Sequence, residues 1–114
     1  MTTALERVLA AAEQDLQAAA SGRALCRITA SGAPARDVKF FEGSWAALRA
    51  LTTAAADLPE GSDLTAEAER LLAEWQADLE RWSGHEGSSW IPYCEGGVTG
   101  LTEFLRETGP PLTR

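Results

Sequence analysis

Trp90, Tyr93, Cys94 and Glu95 crowd into one glycine-flanked stretch, Gly87-Ser-Ser-Trp90-Ile-Pro-Tyr93-Cys94-Glu95-Gly-Gly97. These residue types suit the binding of a small molecule. The indole and phenol could stack on a planar ring, the carboxylate could hold an amine or hydroxyl, and glycines let backbone come close to a ligand. The same aromatics would equally plug the core of a small domain. Catalytic chemistry has less to draw on. Cys94 and His85, the only histidine, could form a thiolate nucleophile and its base, yet Glu86 and Glu95 flank them and a reactive thiolate wants an electropositive setting. Cys26 and Cys94 stand in no paired zinc spacing, so neither a metal nor a cofactor is expected. Gly96-Gly97-Val98-Thr99-Gly100 is followed by no lysine and matches neither a P-loop nor a dinucleotide fingerprint. The chain reads as a binding protein more than as an enzyme.

Charge supplies a second kind of candidate. Residues 57–86 hold nine acids against two bases, Arg70 and Arg81, so this segment alone carries the formal −7 of the whole chain. Glu67, Glu74 and Asp78 head the partner-binding candidates, with Glu69 and Glu80 beside them. An acidic field of this kind steers basic protein surfaces and repels nucleic acid and anionic membranes. Opposite in sign are Arg23, Arg27, Arg36 and Lys39 around Asp37. Four bases are few for a nucleic-acid surface, and pairing with the acidic segment is the simpler use.

The elements that must position these groups follow from periodicity. Leu5, Val8, Leu9, Ala12, Leu16 and Ala19 recur at spacings of three and four, which predicts an amphipathic helix over 3–20. From Ala24 the period changes to two. Leu25, Arg27 and Thr29 alternate with Cys26, Ile28 and Ala30, and Val38 and Phe40 alternate with Lys39 and Phe41. Across Gly32 and Pro34 this pattern predicts an antiparallel hairpin over about 24–42. Ser44 then caps a second helix through Ala55. Leu64 or Thr65 opens a third, with Ala68, Leu71, Leu72, Trp75, Leu79 and Trp82 as its apolar stripe. Residues 84–100 break every period, with a candidate third strand at about 89–93 held to a sheet edge by Pro92. A last helix covers about 99–108.

The expected fold is therefore α+β: a small antiparallel sheet packed by about four helices, in a single domain over 1–114. A bare hairpin is barely stable in water, so sharing its edge with a second copy makes a homodimer the expected state. No apolar run approaches the roughly 20 residues that span a bilayer. With no secretion leader legible and no cysteine framework, the reading is cytoplasmic. The function that emerges is a small acidic interaction or regulatory module that docks a basic protein through the third helix. The alternative is a small-molecule site or minor enzyme at Trp90–Glu95.

Overall fold

A computed structural model of the chain describes residues 3–21, 33–59, 63–85 and 88–108. Those residues form four helices: α1 (Ala4–Ser21), α2 (Ala33–Ala56), α3 (Leu64–Trp82) and α4 (Trp90–Thr108). Helices α1 and α3 begin where the sequence places them, and their starts are fixed by local hydrogen bonds. At α1 the Thr3 N–H donates to Glu6 Oε1 at 2.9 Å while the Glu6 N–H donates to Thr3 Oγ1 at 3.1 Å. This is the reciprocal capping box, which satisfies two backbone donors that a helix start would otherwise leave open. At α3 the Asp63 carboxylate accepts from the Thr65 N–H at 2.9 Å, and Ser83 closes the other end through its N–H to the Glu80 carbonyl.

The expected sheet is absent among the described residues. Among the described residues the fold is all helical, which corrects the α+β assignment. The second strand of the hairpin, around Val38–Phe41, lies inside α2, whereas the first, over 24–30, lies outside the described residues. Over four residues an alternating pattern fits either period. The longer run decides the matter, because Val38, Phe41, Trp45, Leu48 and Thr52 continue at helical spacings of three and four. The candidate edge strand at 89–93 is likewise the opening turn of α4, which starts nine residues before the expected Thr99. Pro92 falls in that first turn, where its missing N–H costs no intrahelical bond. With the sheet gone, the shared-edge argument for a homodimer loses its basis.

Helices α2 and α4 make the most extensive contact in the molecule. They run in the same direction, Phe40 and Ser44 of α2 facing Gly96 and Gly100 of α4 in order. Their backbones nearly touch. A Cβ on Gly96 would overlap the Phe40 carbonyl, and one on Gly43 would overlap the Tyr93 carbonyl. Helix α1 packs mainly on α2, and α3 mainly on α4. One core joins all four helices: Leu5, Val8 and Ala12 from α1, Ala47, Leu48 and Leu51 from α2, Ala68 and Leu71 from α3, and Leu101 and Phe104 from α4. Leu48, Leu51 and Leu101 are fully shut off from water. Burying each of them contributes about 1.5–3 kcal/mol relative to exposure.

Candidate functional site

The start of α4 lies beside the end of α3. Ser88 Oγ accepts from the Trp90 N–H at 3.1 Å and so caps the new helix. Four aromatic rings and one imidazole meet at this junction. Trp82 and Trp90 stack with centroids 6.4 Å apart, and Trp90 meets Tyr93 edge-on at 5.3 Å. Tyr93 in turn lies 5.4 Å from Trp75, and His85 abuts Trp82 at 5.2 Å. Trp75 itself lies across Gly97, whose bare backbone makes room for the indole. Trp90 is the outlier in burial: at 49% exposure it is the one exposed large hydrophobic residue among those described.

The four sequence candidates in this stretch therefore divide. Trp90 and Tyr93 come together. Cys94 turns inward and is buried as a free thiol. Glu95 is exposed, and at about 100° per residue the helix carries it away from the rings. Burial of the Tyr93 ring, with the Glu42 carboxylate adding to it, raises the phenol's pKa against the opposing Lys39. The Cys94 thiol is raised too, first by burial and then by Asp78, with Arg81 opposing and Glu95 adding. His85 lies on Trp82, whereas the charged neighbours of Cys94 are Asp78, Arg81 and Glu95. A thiol in that environment is held protonated, the reverse of what a nucleophile needs. Among the described residues, no group of three His, Cys, Asp or Glu side chains is placed to hold a metal ion.

The acidic candidates all sit on α3. Helical geometry puts Glu67, Arg70, Glu74, Asp78 and Arg81 along one flank and Glu69 and Glu80 along the other. Arg70 bridges the first flank, bonding to Glu67 and, at 2.6 Å, to Glu74. Arg81 pairs with Asp78 at 3.1 Å. The hydrogen bond from Arg70 holds the Glu67 carboxyl below its ordinary pKa. Both arginines of the helix are thus engaged within it. Among the described residues no cation pairs with Glu69 or Glu80, so α3 keeps a surplus of negative charge on its exposed surface. Of the basic group read from the sequence, Arg36 is exposed and Lys39 pairs with Glu42 at 3.1 Å on its own helix. Arg23 and Arg27 lie outside the described residues.

Sequence reasoning missed that Trp82 stacks on Trp90 and that His85 lies against Trp82. The signal was there in the glycine- and serine-rich sequence over 83–89, but it becomes legible only once Trp90 is recognised as the start of a helix. At the opposite end of the molecule an open groove of about 530 Å³ is floored by Leu5, Leu9, Ala55, Leu64 and Phe104. The helix starts on its rim are closed by their own caps, Glu6 and Asp63. Thr3, Glu6, Thr52, Asp63, Thr65 and Thr108 also line the groove. None of the helices among the described residues is long and apolar enough to cross a membrane. No family model matches the chain, and neither does any curated protein or solved structure.

Proposed function

We propose that this protein is a non-enzymatic interaction module that docks a basic protein segment through the exposed surface of α3. One observation carries the reading. Helix α3 holds five carboxylates on its surface against two arginines, and both arginines are engaged by carboxylates of the same helix. Among the described residues no cation pairs with Glu69 or Glu80, so these carboxylates are open to the positive charge of a partner. Carboxylates held in place by arginine neighbours also lose less side-chain freedom when a partner arrives. Exposed ion pairs contribute little to folding, about 0–1 kcal/mol each, so this face can be changed without unfolding the bundle. A cytoplasmic setting is proposed with it, in which Cys94 stays a thiol.

The test is direct binding of a fluorescent hexaarginine peptide to the native protein and to the Glu74→Lys/Asp78→Lys double variant. We expect saturable binding that weakens with added salt and falls about tenfold or more in the double variant, with an unchanged circular dichroism spectrum. Equal binding by the two proteins would remove α3 as the docking face.

A further inference from the structure

The junction of α3 and α4 exposes an indole where core packing would bury it. Trp90 is braced from beneath by Trp82 and at its edge by Tyr93, yet half of its surface stays open to water. Rigid, half-exposed tryptophans surrounded by polar groups are the residues around which binding hot spots form. A ring–cation arrangement elsewhere among the described residues shows what such a face accepts. Over Trp45 the guanidinium of Arg49 sits 5.4 Å from the ring centroid. Among the described residues no cation occupies the corresponding position over Trp90.

The surrounding charge selects the occupant. Trp82, on which Trp90 stacks, is the last residue of α3, and that helix carries five carboxylates against two arginines, a net negative surface. Such a setting draws a cation and, with the formal −7 of the chain, opposes approach of a second identical copy or an anionic membrane. A neutral apolar partner would gain nothing from the carboxylates.

We infer that the open face of Trp90, backed by Trp82, takes an arginine or lysine side chain of the basic partner in a cation–π contact. This assignment rests on the docking reading above. It gives α3 a directional role: the carboxylates attract the segment, and the indole pair at the helix end fixes where one basic side chain lands.

The test follows the four tryptophan indole N–H signals in a ¹H–¹⁵N spectrum of the native protein while hexaarginine is added, with the Trp90 signal assigned from Trp90→Phe. The expected result is movement of the Trp90 and Trp82 signals while Trp45 and Trp75 stay still. Trp90→Ala should then weaken the peptide about tenfold, and Trp90→Phe, which keeps a ring, should weaken it less. Should Trp90→Ala fail to fold, the native indole signals and Trp90→Phe still read the contact. Shifts confined to the backbone amides of α3 would overturn the aromatic assignment and leave the docking reading standing. Absence of any shift would overturn both. A Trp90 signal that moves when the protein alone is concentrated would name a second copy as the occupant and overturn the assignment.

Discussion

At the scale of single residues, Tyr93 reports on the junction more cleanly than any other side chain. It is the only tyrosine in the chain, so alkaline ultraviolet absorbance reads its ionisation without interference. Burial, reinforced by Glu42, favours the neutral phenol in the fold. That carboxylate has its own charge met by Lys39 at 3.1 Å, though Oε1 is shut off from solvent and lacks an aligned hydrogen bond. The sign of the pH effect follows from the raised pKa. The contribution of Tyr93 to stability is fully present below its unfolded pKa, about 10, and is lost as pH rises through the higher folded value. We therefore expect an absorbance midpoint above that of free tyrosine. The melting temperature should fall more steeply at high pH in the native protein than in Tyr93→Phe. A midpoint at the value of free tyrosine would mean that the ring is open to water and that the junction is not packed as described.

At the scale of elements, the close crossing of α2 and α4 is what places Trp90 and Tyr93. Gly96 presents bare backbone to the Phe40 carbonyl, and the nearest obstacle to an added Cβ is main chain that cannot swing aside. Gly96→Ala should push the helices apart and cost about 2–4 kcal/mol, read by urea unfolding. Gly84 has open space around it, so Gly84→Ala should change stability by less than about 1 kcal/mol. Equal effects at the two positions would contradict the crossing. These glycines also explain what the sequence conceals. Helices α1 and α3 were legible because their apolar stripes run uninterrupted. Gly43, Gly96, Gly97 and Gly100 resemble breaks in a linear reading, whereas in space they are the contact surface of two helices and of the Trp75 ring. Val38-Lys39-Phe40-Phe41 was misread for a related reason, since so short a run carries no decisive period. The candidate site was half legible. Trp90 and Tyr93 do meet, but Glu95 faces outward and Cys94 inward because a helix, not a strand, carries them.

At the scale of the whole molecule, the proposed docking face lies apart from the packing core. The core and the glycine crossing lie between the helices, and the ring cluster closes one end. The negative charge sits on the outer flanks of α3. Reversing charge on α3 should accordingly alter binding far more than folding. The most direct test of that division makes no assumption about the partner: selection of peptides from a random displayed library against the immobilised native protein. Enrichment of arginine- and lysine-bearing sequences, lost when the Glu74→Lys/Asp78→Lys variant is the target, is the predicted result. Enrichment of neutral or acidic sequences, or of basic ones that bind both proteins alike, would contradict docking through α3.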